Sequence, residues 1–371
     1  MKAMKGEARS SDFASPAGFG VWAGAPQAAP GQAGSREPTP SGAPRAALPL
    51  PDYAAGIVNF RSYGDLLTCL ASLSAQRHPP RAVLVVDHDP EPGAAAAVRQ
   101  AFPGVGWAPQ PNRGFAAGAN RVLDWAAREH PGVPFALLLN PDVELAPEYA
   151  GALLREMQHA PRVALGAGKL LRPDGRTIDT AGIAMSRQRR SRDRGAGRLD
   201  RQQYDRCETV FAVSGAALML RRAALRDLAV GGEVFDEDFF AYREETDLAW
   251  RAGLLGWGAL YVPEARARHR RRWRPETRRR VEPAVRRHSF KNHYLQLVKN
   301  ERAGDFVRDL PFILGFELLR LAHFLLRDPA ALAGYADALR LLPRALAKRR
   351  VIQRRAGALR AASRLEPRGA E

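Results

Sequence analysis

The sequence predicts an α/β fold: a mostly parallel central sheet with helices on both faces, followed by a C-terminal helical region. Between residues 54 and 140, short apolar runs alternate with segments of helical spacing, and the runs end in polar residues. Short apolar runs are typical of strands buried on both faces, and intervening helices predict parallel pairing. Because ligands bind beyond the carboxyl ends of such strands, we expect a ligand site at that edge.

The predicted strands and helices follow one another in a regular order. The apolar runs that predict strands are Ala54–Phe60, Arg81–Asp89, Val105–Gln110 and Phe135–Asn140. The segments that predict helices are Leu66–Gln76, Ala94–Phe102 and Arg121–His130. Asn59, Asp87 and the segment Asn140–Asp142 stand at the ends of three strands, so we expect them at the ligand-binding edge.

Composition divides the chain into three predicted regions. Residues 1–51 are rich in Ala, Gly, Pro and Ser and lack a periodic apolar pattern, which predicts a disordered tail without a secretory signal. Residues 52–300 carry the predicted α/β domain. Residues 301–371 have a helical and basic pattern, which predicts an amphipathic helical region.

The charge of the chain points to a polyanionic partner. The 371 residues carry a formal net charge of +18 and only two cysteines, Cys69 and Cys207. Nucleic acid, anionic lipid and pyrophosphate-bearing substrates all fit this charge. Two isolated cysteines fit a reducing compartment better than a disulfide framework, so we expect a cytoplasmic protein.

The segment that follows Leu310 is strongly apolar, but it contains Glu317, Arg320 and His323. These residues make it a poor membrane-spanning helix. With the basic residues that follow, it fits an amphipathic helix on the inner face of an anionic membrane. A helical cap or a dimer surface fits the same pattern, and the sequence leaves these alternatives open.

Two residues are candidate metal ligands. Asp142 lies in NPDVEL (Asn140–Leu145), just after a predicted strand, and hard divalent cations bind one or two carboxylates together with phosphate oxygens. An ordinary turn explains Asn-Pro-Asp as well. His269 is a candidate further ligand, because its flanking arginines disfavour a cationic imidazole and so favour the neutral, metal-binding form.

The segment NRGFAAGAN (Asn112–Asn120) has two glycines spaced to open a helix beneath a phosphate or a ribose. A plain strand-to-helix turn would show the same spacing. Asn112 and Asn120, which flank the glycines, favour the ligand-binding interpretation.

An acidic stretch, FDEDFFAYREETDLAWRAGLLGW (Phe235–Trp257), stands out in this basic chain. Its pattern predicts a helix from about Tyr242 to Gly253. Glu244 and Glu245 lie in the first turn and project toward the strand ends, where a carboxylate could act as a general base. Acidic residues also favour helix N-termini because of the helix dipole, which is the structural alternative.

Taken in order, these segments resemble glycosyltransferase family 2, especially its bacterial rhamnosyltransferase-like members. The resemblance runs from about residue 57 to residue 300. The segments that carry it are IVNFRSYGDLLTCLASL, VLVVDHD, NRGFAAGAN, LLLNPDVEL, SGAALMLRR, FDEDFFAYREETDLAWRAGLLGW and RHSFKNHYLQLVKN. Each is weak alone, but their shared order is specific.

The resemblance implies a GT-A fold, an inverting reaction, a divalent Mg²⁺ or Mn²⁺ ion and a nucleoside-diphosphate sugar donor, with dTDP-rhamnose first and UDP-sugars next. The acceptor would be a glycan or a polyprenyl-linked molecule of the cell envelope. By position, the implied donor-binding residues are Asn59, Asp87, Asn112, Gly114, Asn120 and Asn140. The metal would bind Asp142 and His269. Glu245 would be the base, with Glu244 as a second candidate.

Departures from the family pattern leave alternatives open. Glu245 stands where the family usually has aspartate, and His88 and Pro90 follow Asp87 where it prefers asparagine and serine, which leaves the nucleobase open. A nucleotidyltransferase would need a glycine-rich loop with arginine and lysine after the first strand, and only RSYGD follows it. A degenerate membrane-associated scaffold and a basic nucleic-acid-binding protein remain alternatives, although the second leaves the acidic stretch unexplained.

Overall fold

The computed structural model describes residues 49–271 and 283–365 of the chain. The predicted N-terminal tail falls outside these residues except for its last three, and so does most of the basic block Arg266–Arg280. Both cysteines are free, with Cys69 buried and Cys207 exposed. The predicted domain boundaries at 51 and 300 stay predictions.

A ten-stranded sheet forms the centre of the molecule. The described strands are β1 (Tyr53–Phe60), β2 (Ala82–His88), β3 (Gly106–Gln110), β4 (Phe135–Leu139), β5 (Val143–Leu145), β6 (Val163–Leu171), β7 (Ile178–Thr180), β8 (Ile183–Met185), β9 (Ser191–Asp193), β10 (Glu208–Val210), β11 (Ala217–Arg221) and β12 (Gly258–His269). Their order in the sheet is β10–β12–β6–β11–β4–β1–β2–β3, with β5 beside β12 and β7 beside β6. Strands β8 and β9 form a separate hairpin.

Helices follow the strands as the sequence predicts. The described helices are α1 (Tyr63–Ser74), α2 (Pro92–Ala101), α3 (Gly114–Glu129), α4 (Tyr149–Gln158), α5 (Arg222–Leu228), α6 (Glu244–Leu254), α7 (Pro283–Asn300), α8 (Ala303–Arg327) and α9 (Ala333–Leu365). The segment NRGFAAGAN therefore opens α3. Helix α6 begins two residues later than expected, because Tyr242 and Arg243 have left-handed backbone angles, with φ of 75° and 69°.

The sheet is covered by helices on both faces. Alternate residues of β4 enter different cores: Leu137 packs with residues of α1, α2 and α4, and Leu138 packs with residues of α3, α5 and α6. Burial on both faces explains why these strands read as continuous apolar runs. The α/β prediction is confirmed.

Parallel pairing is confined to part of the sheet. Strands β3, β2, β1 and β4 are parallel, as are β6 and β12, but β11 runs antiparallel between β4 and β6. The expectation of a mostly parallel sheet thus holds for the N-terminal half, where crossover helices connect the strands. In the C-terminal half of the sheet, few helices connect successive strands. Because a connecting helix is what predicts parallel pairing, the sequence indicates strand direction less clearly there.

The C-terminal helices α7 and α9 pack on the acidic stretch. Phe239, Leu295 and Ala345 form one buried cluster between them. Within the described ranges, none of the helices is both long and apolar enough to cross a membrane.

Candidate active site

The strand ends place Asn59 and Asp87 side by side. Both side chains are fully buried, and Asn59 Nδ2 donates a hydrogen bond of 2.8 Å to Asp87 Oδ1. The Tyr63 hydroxyl, in the first turn of α1, donates to Asp87 Oδ2 at 3.1 Å. Burial raises the pKa of Asp87, and these two hydrogen bonds oppose that rise. These hydrogen bonds hold the Asn59 and Asp87 side chains in place at the ends of β1 and β2. A contact of either residue with a nucleotide-sugar donor stays a prediction.

The loop before α3 is held by Asn112. Its side-chain oxygen accepts a hydrogen bond of 3.0 Å from the Gly114 backbone N–H, and its own backbone N–H donates to Asp89 Oδ1 at 3.1 Å. Gly114 has φ of 86°, and a Cβ there would lie 2.2 Å from the carbonyl oxygen of Phe240. Glycine is therefore required where this loop meets the acidic stretch.

Asn120 has a structural role that the sequence did not indicate. Its amide is buried and exchanges hydrogen bonds of 2.8 and 2.9 Å with the backbone of Phe235, and it also donates to Glu237 Oε1 at 3.2 Å. Asn120 thus ties α3 to the start of the acidic stretch. A direct contact between Asn120 and a donor stays a prediction.

Asp142 and His269 meet beyond the end of β4. The backbone N–H of Asn140 is anchored to the Ala216 carbonyl at 2.8 Å, which fixes the turn that carries Asp142. His269 Nε2 lies 3.4 Å from Asp142 Oδ1, and His269 Nδ1 lies 2.8 Å from Asp179 Oδ2. Asp179, on β7, was missed by the sequence analysis, because only the sheet brings residues 90 positions apart into contact.

The expectation that flanking arginines keep His269 neutral is wrong. Strand alternation directs Arg268 and Arg270 to solvent and leaves His269 buried among carboxylates. Burial lowers the pKa of His269, but hydrogen bonds to Asp142 and Asp179 outweigh it and raise the pKa to about 9. The carboxylates around His269 stabilise positive charge at this position, and a cation bound between Asp142 and His269 would replace the proton on Nε2.

Asp142 and His269 fit a divalent cation as a pair of ligands. Asp179 holds Nδ1, so Nε2 points toward Asp142, an arrangement in which a carboxylate orients a histidine ligand. In residues 49–271 and 283–365, no set of three or more His, Cys, Asp and Glu side chains is arranged to hold a metal. Two protein ligands plus substrate oxygens and water are a common arrangement for Mg²⁺.

A shallow cleft opens beside this pair. Its lining includes Asp65, Thr68, Asp142, Arg268 and Arg270. Arg270 Nη1 pairs with Asp65 Oδ1 at 3.1 Å, so the first turn of α1 meets the end of β12 there. The cleft thus combines a carboxylate from the metal pair with basic side chains that suit phosphate groups.

Three of the six carboxylates in the acidic stretch, Asp236, Asp238 and Asp247, are neutralised by the C-terminal helices. Lys299 on α7 contacts both Asp236 and Asp247, at 2.9 Å for Asp247 Oδ2. Lys348 on α9 also contacts Asp236 and lies 3.0 Å from Asp238 Oδ2. These groups serve the packing of α7 and α9 against the α/β sheet.

Glu244 and Glu245 are different, because no lysine or arginine forms an ion pair with either of them within the described residues. Glu244 is buried, and its Oε2 atom has no hydrogen-bond partner. Burial and the neighbouring Glu245 raise the pKa of Glu244 well above its usual range. Glu245 is only partly buried, and it lies against Gly215, where a Cβ would come within 3.4 Å of Glu245 Cβ. The accessible carboxylate is therefore Glu245.

Arg271 connects the two ends of the site. Its Nη1 lies 2.9 Å from Asp193 Oδ2 and 3.5 Å from Asp179 Oδ1. Burial raises the pKa of Glu245 and the charge of Asp193 adds to the rise, whereas Arg271 lowers it. Asp193 and Arg271 were missed by the sequence analysis, because Arg271 reads there as one member of a basic run.

Two comparisons with known sequences bear on this arrangement. The family model described as Glycosyl transferase family 2 matches residues 55–228. Two proteins of Mycobacterium tuberculosis, from strains H37Rv and CDC 1551, are named N-acetylglucosaminyl-diphospho-decaprenol L-rhamnosyltransferase. Each is 32% identical to this chain over 225 residues, which is 54% of this chain and 70% of theirs.

Known structures share the architecture. The S. aureus TarS fragment 1–349 with UDP-GlcNAc superposes with a TM-score of 0.51 at 14% identity, over 84% of this chain and 92% of that one. GalNAc-T7 with UDP, GalNAc and Mn²⁺ gives 0.50 at 13% identity, over 67% of this chain and 48% of that one. At these identities the likeness establishes the fold, GT-A. The mycobacterial relatives, which are 32% identical and covered over 70% of their length, and the matching family model show that the chain is a glycosyltransferase and belongs to glycosyltransferase family 2.

Proposed function

We propose that this glycosyltransferase moves a sugar, with inversion, from a nucleoside-diphosphate sugar to a hydroxyl group of a lipid-linked glycan acceptor. The observation that carries the proposal is the presence of two chemically distinct groups, the Asp142–His269 pair and the accessible Glu245. Arg271 pairs with Asp179 beside the first group, and its charge acts on the second. Such a reaction needs charge stabilisation at the leaving diphosphate and a base at the attacking hydroxyl.

The donor that we favour is dTDP-rhamnose, with UDP-sugars as the second class. The name of the mycobacterial relatives, a rhamnosyltransferase, supports rhamnose. Asn59, Asp87 and Asn112 line the strand ends where the nucleotide would bind, and Gly114 lets the loop pass close to the acidic stretch. Asn140 completes this edge next to Asp142.

The metal that we propose is Mg²⁺ or Mn²⁺, held by Asp142 and His269 together with diphosphate oxygens. When bound, such an ion neutralises charge on the leaving diphosphate. Asp179 keeps Nδ1 of His269 occupied, so Nε2, on the side of Asp142, would be the nitrogen that binds the ion. The basic side chains of the adjacent cleft, Arg268 and Arg270, add positive charge on the diphosphate side.

Glu245 is the proposed base. The acceptor oxygen forms a bond to the anomeric carbon as the bond from that carbon to the diphosphate breaks, and the electron pair leaves on the diphosphate. The hydroxyl proton passes to the Glu245 carboxylate. Burial raises the pKa of Glu245, which makes its carboxylate a stronger base, and Arg271 and Arg243 limit that rise. Glu244 is too buried to reach an acceptor.

The acceptor class follows from the relatives. Their name specifies a polyprenyl-linked diphosphate sugar, and an acceptor of that class would be embedded in a membrane. We therefore propose work in cell-envelope polysaccharide synthesis at the inner face of the cytoplasmic membrane, with peripheral attachment. Membership of the family argues against the nucleic-acid-binding alternative. The position of the Glu245 carboxylate argues against a degenerate scaffold.

The test is release of nucleoside diphosphate from a panel of nucleotide sugars with Mn²⁺, Mg²⁺ or EDTA, for wild type, Asp142→Ala and Glu245→Gln. We expect metal-dependent release from one donor, lost in Asp142→Ala and strongly reduced in Glu245→Gln. Glu129→Gln, an exposed carboxylate at the end of α3, is the matched control and should behave as wild type. Absence of release combined with absence of metal-dependent UDP or dTDP binding would contradict the proposal.

A further inference from the structure

Helix α8 has its polarity reversed relative to a helix on a water-exposed surface. Between Pro311 and Leu326 its exposed positions are apolar or glycine, apart from His323. They are Pro311, Phe312, Leu314, Gly315, Leu318, Leu319, Leu321, Ala322, Leu325 and Leu326, here called the outer face of α8. Leu319 and Leu326 are 73% and 79% exposed. A continuous apolar face of this kind marks an interaction site.

Three charged residues of α8, Asp309, Glu317 and Arg320, point inward and fix this orientation. Glu317 accepts a hydrogen bond of 2.6 Å from the Tyr294 hydroxyl on α7 and is paired with Arg320. Asp309, fully buried, pairs with Arg187 at 2.8 Å and Arg189 at 2.9 Å. Rolling the helix to hide its leucines would break these contacts and leave buried charges unpaired. The outer face is therefore held toward the surroundings.

Arginines border the outer face. The Arg187 guanidinium lies 4.0 Å from the ring centre of Phe312, and that of Arg190 lies 5.6 Å from the ring of Phe316. Arg190 and Arg327 are exposed to solvent. An apolar helix face bordered by cations matches the interface of an anionic bilayer. A second copy of this chain fits less well, because each copy carries a net charge of +18.

The hairpin that carries these arginines also reaches the active site. Its loop, residues 186–190, joins β8 to β9, and in β9 the Ser191 hydroxyl accepts a hydrogen bond of 3.3 Å from Arg243, next to Glu244. Asp193, two residues further, pairs with Arg271 beside Glu245. One short hairpin thus contacts α8 at one end and the base side of the site at the other.

We propose that the outer face of α8 and its arginine border dock on an anionic bilayer, and that this docking brings a membrane-embedded acceptor diphosphate to the Glu245 side of the site. The identity of the acceptor rests on the proposed function, whereas the docking itself rests on α8. Apolar burial supplies the attachment, and the arginines supply the preference for anionic lipid.

The test is sedimentation of the full chain with phosphatidylcholine vesicles that contain or lack phosphatidylglycerol. We expect binding to the anionic vesicles that weakens as salt rises. The double variant Leu318→Glu/Leu319→Glu should lower the partition coefficient at least about tenfold, because two exposed leucines no longer enter the bilayer. Leu199→Glu, at a leucine 54% exposed outside α8, is the matched control and should bind as wild type.

Two further readouts separate the possible outcomes. Unchanged vesicle binding by the double variant, or no binding by wild type, would overturn the docking proposal. If wild type is a dimer that does not bind vesicles, and the double variant is a monomer, the outer face would be assigned to contact with a second copy instead. Nucleoside-diphosphate release without vesicles should be equal in wild type and double variant. If neither wild type nor the double variant releases nucleoside diphosphate or binds UDP or dTDP with metal, while vesicle binding follows the expected pattern, the proposed function fails and the docking surface stands.

Discussion

Carboxylates of one short stretch of chain, residues 236–247, have opposite surroundings. Asp236 contacts Lys299 and Lys348; burial acts to raise its pKa, but the two lysines outweigh burial and hold the pKa well below its usual range. Glu244 is equally buried, has no cationic partner in the described chain, and its pKa is raised. The C-terminal helices therefore neutralise the carboxylates on which they pack and leave the glutamates at the start of α6 unneutralised, and one of these, Glu245, is the base that we propose. Four predictions test this difference.

The largest effect is expected at Glu245. Glu245→Gln should lower kcat about 10²- to 10⁴-fold, because a general base is removed without a change in size. Glu245→Asp should retain more activity than Glu245→Gln, since a carboxylate remains. Steady-state kinetics with the best donor measures both, and a Glu245→Gln enzyme within about threefold of the Glu129→Gln control would remove Glu245 from the mechanism.

The second effect concerns stability. Lys299→Met should lower the free energy of unfolding by about 3 kcal/mol, because it leaves Asp236 and Asp247 buried with fewer partners. Urea denaturation measures the change. Arg354→Met, at an exposed position of α9, is the control and should change the free energy of unfolding by less than about 0.5 kcal/mol. A Lys299→Met protein as stable as the control would mean that the lysine does not hold these helices.

The third effect concerns the metal end. Asp179→Asn should weaken Mn²⁺ binding in the presence of UDP or dTDP about 10- to 100-fold, because His269 loses the carboxylate that orients it. Calorimetry measures this affinity, and nucleotide binding in EDTA should stay unchanged, which a general folding defect would not allow. Asp124→Asn, on the exposed side of α3, is the control. Equal Mn²⁺ affinity in both variants would rule out the orienting role.

The smallest effect is expected at Glu244. A group whose pKa is raised by folding contributes stability below its unfolded pKa and loses that contribution as pH rises through the folded pKa. Wild type should therefore lose stability relative to Glu244→Gln as pH rises from 5 to 8, by on the order of 1 kcal/mol. Denaturation at several pH values measures the gap. A gap that stays constant with pH would mean that Glu244 does not titrate in this range.

The candidate site could be predicted from the sequence only in part. Asp142 and Glu245 could be proposed from their places after a predicted strand and in the first turn of a predicted helix, and His269 from its neighbours and the family resemblance; their roles stay predictions. Asp179, Asp193 and Arg271 were not found, since nothing in their local pattern separates them from ordinary surface charges. The arginines beside His269 in the sequence do not set its charge, because neighbouring residues of a strand face opposite sides of the sheet.

The sequence by itself determined the α/β class, the strands with Asn59, Asp87 and Asn140 at or just beyond their carboxyl ends, and the amphipathic pattern after Leu310. Those features depend on the spacing of apolar residues within a short segment, and this spacing can be read from the sequence of that segment alone. Only the tertiary structure decided which carboxylates are neutralised, which histidine nitrogen faces Asp142, and which face of α8 is outward. Each of these depends on contacts between distant residues, such as Lys299 with Asp236, 63 positions apart. Charge and burial at such contacts are set by packing, and packing is a property of the whole fold.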